Sequence, residues 1–288
     1  MNCLKRRKWL FLSIPLLLLL ILTLNGCRAG TERDAAFPKE ARRIKISGSR
    51  TCLPLFQILA EAYRAKHPDV EIVFLPGAHS GAGVAGANNG TLDIGLVSRE
   101  LKPEEAKLGL KYYVVSLDGL AIFTNPSIKI KNLTTNQIKG IYAGEITNWK
   151  DVGGPDEKII VLDRAEDESA KIILREYVLG SIPTTPSATL LYFETDMVKA
   201  LETTPNAIGY LSLGYAISHS LRLNMISVDG KAPSVKNIYS GKYQVVRPLG
   251  IVVKKEPAGI AKAFLDYVFG KEGRKVMEKN GYAAVKRD

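Results

Sequence analysis

The sequence predicts an α/β chain of two lobes, each a mostly parallel sheet flanked by helices, with a ligand cleft between them. Three observations predict it. Short β-branched runs alternate with stretches of helical periodicity along most of the chain, the pattern of strands covered by helices on both faces. Loops rich in glycine and hydroxyls join strand-like to helix-like runs, at the strand ends where open α/β sheets bind ligands. About 260 residues follow an N-terminal leader, enough for two lobes of roughly 100–150 residues each.

Arg43 to Ser47 reads as the first strand. Pro54 opens a helix, where a first-turn proline is tolerated. Leu55, Ile58, Leu59, Ala62 and Tyr63 follow at helical spacing, and Pro68 predicts its end at His67. Val70 to Leu75 is a second strand, followed by a glycine-rich loop, a small-residue helix and the turn Asn89-Gly90. Leu92 to Val97 is a third strand, and Pro103 starts a short helix. Lys111 to Asn125 reads as two extended runs interrupted at Asp118-Gly119. Thr134 suits the N-cap of a helix carrying Ile138 and Ile141. Lys158 to Leu162 is a strand, and a helix runs from about Glu168 to Leu179. A helical run around Met197 to Leu201 precedes a strand at Ala207 to Leu211. Gln244 to Lys254 is a long extended run, and helices at Ala258 to Phe269 and Lys271 to Lys279 close the chain. The implied division is residues 44–125 plus 245–288 for one lobe and 126–244 for the other. Extended strands near Asp118-Gly119 and Val245 to Ile251 would join them as a hinge.

The N-terminus reads as a bacterial lipoprotein signal over residues 1–26. Lys5, Arg6, Arg7 and Lys8 precede an apolar run from Trp9 to Leu24 and then Leu24-Asn25-Gly26-Cys27. A plain anchor helix is the other reading, but the run is short for a bilayer that needs roughly 20 apolar residues. Cys27 is the expected lipidation site, and residues 27–43, charged and without apolar periodicity, read as a tether. Loss of the leader removes Cys3, so Cys52 is left with no disulfide partner and reads as a small buried hydrophobe. The formal charge is +11, of which +7 remains once the four leader cations are gone. That excess favours anions near a cleft. The cations are dispersed with no aromatic-interleaved stripe, which argues against nucleic acid. His67, His79 and His219 are scattered, with no metal-ligand spacing, and no cofactor is expected.

Two loops carry the chemistry: Gly48-Ser49-Arg50-Thr51-Cys52-Leu53-Pro54 and Pro76-Gly77-Ala78-His79-Ser80-Gly81-Ala82-Gly83. Each opens a helix, whose unpaired N–H groups and positive dipole end suit an anion. Ordinary structural roles compete: Thr51 as a helix cap, Ser80 as a turn residue, His79 as an exposed loop residue.

With these loops, the blocks Asp93-Ile94-Gly95-Leu96-Val97-Ser98-Arg99-Glu100-Leu101, Asp118-Gly119-Leu120-Ala121-Ile122, Ile141-Tyr142-Ala143-Gly144-Glu145-Ile146-Thr147-Asn148-Trp149 and Arg247-Pro248-Leu249 stand in one order. In them the chain resembles the phosphate-binding proteins of the bacterial high-affinity phosphate ABC importer, over nearly all of residues 44–286. The resemblance implies the two-lobed type II periplasmic binding fold, an extracytoplasmic monomer held to the membrane by its lipid, and delivery of phosphate or a related oxyanion to an ABC permease. It implies ligand contacts from Ser49, Thr51, the Cys52 backbone, Ser80, the N–H groups of Gly81 and Ala82, and Ser98. Arg99 would line the cleft, Arg164 would pair with the anion, Glu166 would orient that arginine, and Ser169 would stand in the third loop.

That third loop departs from the family. Where Gly-Ser-Gly-Thr is expected, the chain has Asp167-Glu168-Ser169-Ala170. A carboxylate beside a dianion costs energy in a low-dielectric cleft. Three outcomes are open: the acids face solvent at the helix start and leave phosphate bound more weakly, a protonated Glu168 donates to the ligand, or the ligand differs. This reading predicts tighter phosphate binding from Glu168→Ser with Ala170→Thr. A sensor or scaffold on the same fold is a second reading. An enzyme is a third, resting only on Glu166, Asp167 and Glu168, which suit helix-start charges better.

Overall fold

The structure, a computed structural model, describes residues 43–286. The leader, Cys27 and nearly all of the tether lie outside the described residues. β1 (Arg43–Gly48) leads through α1 (Leu53–Arg64) to β2 (Glu71–Phe74), and α2 (Ser80–Asn89) leads to β3 (Ile94–Val97). α1 buries Leu55, Phe56, Leu59, Ala60 and Tyr63. It ends at Arg64 rather than His67, where the chain tightens: Lys66 donates to the Tyr63 carbonyl three residues back, and the His67 N–H is shared between the Tyr63 and Arg64 carbonyls.

α3 (Pro103–Ala106) precedes β4 (Lys111–Thr124). This 14-residue strand is unbroken, where two runs were expected. Asp118-Gly119 stays extended because both residues are paired across the ladder, with Arg247 and Val246. Next come β5 (Asn132–Leu133), α4 (Thr135–Ala143) and β6 (Ile160–Arg164). Thr134 caps α4 in a reciprocal box with Gln137, as its residue type predicts. α5 (Ser169–Leu174) continues into a π-helical turn at Arg175–Leu179. β7 (Thr189–Leu191), α6 (Glu194–Thr203), β8 (Ala207–Ser212), α7 (Leu213–Ser218), β9 (Asn224–Val228) and α8 (Val235–Tyr239) follow. β10 (Val246–Val253), α9 (Gly259–Phe269), α10 (Lys271–Lys279) and β11 (Ala283–Ala284) complete the chain.

The main sheet runs β2-β1-β3-β10-β4-β8-β6-β7. It is parallel toward both ends, in β2-β1-β3 and in β8-β6-β7, and antiparallel where β10 and β4 pass through the middle. β4 changes partners along its length. Lys111 to Gly119 face β10, and Leu120 to Thr124 face β8. The cores change with it. Val115 packs with Ile44, Ile46, Phe56, Leu249 and Phe264, whereas Leu120 and Ile122 pack with Ile141, Tyr142, Trp149 and Tyr210.

At the changeover sits a buried ion pair. Arg247 Nε and Nη2 donate to Asp118 Oδ2 at 3.1 and 2.9 Å. Asp118 Oδ1 accepts from Ser212 Oγ at 2.8 Å and from the Gly214 N–H at 3.3 Å. Burial opposes the Arg247 charge, but Asp118 and Glu194 outweigh it and raise the guanidinium pKa.

Candidate ligand-binding site

Three glycines set the first wall. Gly48 has φ +133°, and a Cβ there would strike the Leu96 carbonyl. A Cβ on Gly83 would lie 2.5 Å from the same oxygen, and one on Gly95 would meet the Gly83 carbonyl closer still. The α2 backbone therefore lies directly on β1 and β3 with no side-chain layer between. Gly95→Ala should destabilise the protein by about 1–3 kcal/mol, measured by denaturant unfolding, because the obstacle is backbone that must shift.

This close approach gathers three buried serines. Ser49 Oγ donates to Ser98 Oγ at 2.9 Å, Ser80 Oγ lies 3.5 Å from Ser98 Oγ, and the Ser98 N–H donates to Ser80 Oγ at 3.1 Å. They come from the end of β1, the first turn of α2 and the end of β3, which are the strand ends and helix start that the sequence predicts. Gly81 is the second residue of α2.

Neighbouring candidates are committed elsewhere. The Ala82 N–H donates to His79 Nδ1 at 3.2 Å, because His79 is the N-cap of α2 and its ring folds back over the first turn. The Cys52 N–H donates to the Ser49 carbonyl at 3.1 Å within the turn that opens α1. Burial pushes the Cys52 thiol up to about 12, Arg247 offsetting only part of it, so that side chain is an unreactive hydrophobe. Arg99 is held by a neighbouring acid. Its Nη1 and Nη2 grip Glu105 at 2.7 and 2.8 Å, held there because Glu105 also closes the start of α3. Thr51 is half-buried and does not cap α1, whose N-cap is Cys52 without a side-chain cap bond.

The second wall is built on the end of β6. Arg164 is only 6% exposed. Its Nη2 donates to the Tyr192 carbonyl at 3.1 Å and lies 3.2 Å from Glu168 Oε2. Its Nε is buried with no hydrogen-bond partner, an orphaned charged donor of the sort proteins rarely leave unmatched. Behind it, fully buried Lys171 donates to Asp163 Oδ2 at 2.5 Å and to Thr184 Oγ1 at 2.6 Å. Tyr210 OH donates to Asp163 Oδ1 at 2.7 Å and accepts from the Arg164 N–H at 3.1 Å. The network clamps the backbone that carries Arg164.

The acids are distributed differently from the expectation. Glu166 does not orient Arg164. It is 61% exposed and pairs with Arg175, whose hydrogen bonds hold its carboxyl below the usual range. Glu168 takes the place next to Arg164. It is the N-cap of α5, but its side chain makes no capping bond and is mostly covered. Oε2 pairs with Arg164, and Oε1 lies 3.0 Å from Nη2 of Arg50, whose guanidinium sits 5.3 Å from the Phe193 ring centroid. Arg50, adjacent to Ser49, thus links the first wall to the second. Ser169 Oγ accepts from Arg247 Nη1 at 3.3 Å, tying α5 to the buried pair at the β4 changeover. Ala170 is buried in the core with Leu174 and Ile173, so a threonine there would place its hydroxyl in apolar packing rather than in the site.

Among the described residues no His, Cys, Asp and Glu cluster could hold a metal ion. A cavity of about 740 Å³ lined by Leu117, Tyr239, Arg274 and Glu278 shares no residue with either wall.

The family model described as PBP superfamily domain matches residues 35–272. The phosphate-binding protein PstS of Borreliella burgdorferi is 30% identical over 253 residues, covering 84% of this chain and 90% of that protein. The chain belongs to the PstS family. PstS of Bacillus subtilis is likewise 30% identical, over 252 residues, covering 86% of this chain and 82% of that one. Among solved PstS-like structures, a Clostridium perfringens protein assigned as a phosphate ABC transporter substrate-binding protein, with bound phosphate, superposes with a TM-score of 0.74 at 33% identity, covering 85% of this chain and all of that one. An ABC-type phosphate transport receptor from Vibrio cholerae gives 0.64 at 29% identity, over 84% of this chain and all of that one. The mixed α/β architecture is thus that of the periplasmic phosphate-binding fold.

Proposed function

We propose that this chain is the extracytoplasmic solute-binding component of an ABC importer. It binds inorganic phosphate or a close oxyanion between its two walls and passes it to a permease. The observation that carries this reading is the buried Arg164, whose Nε has no partner, joined through Glu168 and Arg50 to the Ser49–Ser80–Ser98 cluster. A planar guanidinium and converging hydroxyls are what a tetrahedral oxyanion needs. The phosphate-binding PstS relatives and the phosphate transport proteins of Clostridium perfringens and Vibrio cholerae support it.

The walls would belong to two lobes that hinge where β4 and β10 cross, at Asp118-Gly119 and Val245 to Ile251. Lipid on Cys27 would keep the protein at the membrane beside its permease, with more than one acyl chain for firm anchoring. Among the described residues no helix is long and apolar enough to cross a membrane.

Thermal unfolding of the full chain in detergent, against phosphate, arsenate, sulfate, molybdate and phosphonates, tests the reading. A ligand at 100 times its Kd adds about 2.7 kcal/mol of stability. Stabilisation by phosphate is the expected result. A shift only with another solute would retarget the site, and no shift with any would favour a sensor or scaffold.

A further inference from the structure

We infer that Glu168 is a tethered competitor for the anion site: its carboxylate holds Arg164 and Arg50 together when no ligand is bound, and an oxyanion enters by displacing it. The inference rests on the oxyanion-binding reading above. Three features of the site carry it.

The first is geometry. Each carboxylate oxygen meets a different arginine, Oε2 at 3.2 Å from Arg164 Nη2 and Oε1 at 3.0 Å from Arg50 Nη2. Two oxygens of one anion bridging two guanidinium groups is the arrangement an oxyanion would make. The second is what Glu168 does not do. An acid at an N-cap is expected to accept from the N–H groups of its own helix, and this one makes no capping bond. Its side chain is 22% exposed and turned inward, while Asp167 beside it is exposed. The third is the state of Arg164. With Glu168 in place its Nε is still unmatched, so the carboxylate satisfies the guanidinium only in part. An oxyanion with more acceptor atoms can complete the set, which favours exchange.

The competitor is also a strap. Arg50 precedes α1, which packs in the first core, whereas Glu168 precedes α5, which packs in the second. The Arg50–Glu168 pair therefore holds the two walls together without ligand. Displacement frees Arg164 for the oxyanion. Because Arg50 is half-exposed, it can follow the departing carboxylate toward solvent. The consequence is a raised concentration threshold: the protein ignores an oxyanion too weak or too scarce to displace its own carboxylate.

The experiment uses the full chain in detergent. Glu168→Gln removes the charge at constant shape, and Glu168→Ser is the second variant. Isothermal titration with inorganic phosphate should give a Kd lower by about tenfold or more for both, the size of a lost charged hydrogen bond to a competitor. Small-angle X-ray scattering without ligand should give a larger radius of gyration for E168Q than for the parent, the two converging at saturating phosphate. A Kd unchanged or raised in both variants overturns the inference. If neither parent nor variants bind any anion of the panel, the oxyanion reading fails, and the scattering still decides whether Glu168 straps the walls: equal ligand-free radii overturn it.

Discussion

Replacing Arg164 with alanine should abolish oxyanion-induced stabilisation while leaving the protein folded. Removing one partner of a desolvated, hydrogen-bonded charge pair costs about 2–5 kcal/mol of binding, which corresponds to a Kd raised by about 30- to 4,000-fold at 1.4 kcal/mol per decade. Titration calorimetry with phosphate measures it. Arg164→Lys is the informative companion. A lysine keeps the charge but loses the planar fork, including the buried Nε that has no hydrogen-bond partner. It should recover only a small part of the affinity. Unchanged binding in the alanine variant would put the anion somewhere other than between these walls.

The largest loss of stability is expected from Asp118→Asn. The side chains of Asp118 and Arg247 are 0 and 1% exposed, and the residues stand opposite each other in the β4–β10 register. Breaking a buried pair strands the remaining charge and costs about 3–5 kcal/mol. For a domain of this size that is a fall in Tm on the order of 10 °C. The loss should be specific to breaking the pair. Asp118→Leu combined with Arg247→Met, which removes both charges, should regain much of the stability, since apolar replacement of a whole buried pair is often neutral or better. A loss below about 1 kcal/mol for the asparagine variant would mean that water or Glu194 already neutralises the arginine. The double variant also loses the Arg247–Ser169 bond, so a weakened anion response in an otherwise stable protein would reveal how far the crossing strands support the site.

Much of this architecture is legible in the sequence. The strand–helix alternation, the Thr134 cap and the glycine-hydroxyl loops are local signals, and local signals survive into the fold. The short elements are less legible. β7 and β5 have three and two residues, too few for a periodicity, and they exist because a neighbouring strand offers an edge. The site divides along the same line. The three serines follow from loop type, because each loop is fixed by its own glycines. The acids do not follow. Glu166, Asp167 and Glu168 are consecutive, and nothing in the order decides which one meets Arg164. That choice is made by Arg175 drawing Glu166 outward and by Arg50, 118 positions away, drawing Glu168 inward. Arg50 itself reads as an unremarkable loop cation until the fold brings Phe193 and Glu168 to it. Ala82 and Arg99 show the converse: each has a donor that reads as free in sequence, and a neighbour in space that engages it.

The glycine contacts beneath α2 have a consequence for how this protein could be given a new cargo. Helix and sheet backbones touch there, so the serine side behaves as a rigid jaw: any added side chain meets main chain, and a change meant to reshape the pocket would first disturb the scaffold. On the proposed reading the opposite jaw hangs on the β6–α5 turn, where side chains rather than backbone would meet the entering solute and single replacements at Ala165 to Ser169 would change its charge. A selection for another solute would gain most by randomising that turn together with Arg50, holding residues 48–49, 80–83 and 95–98 fixed.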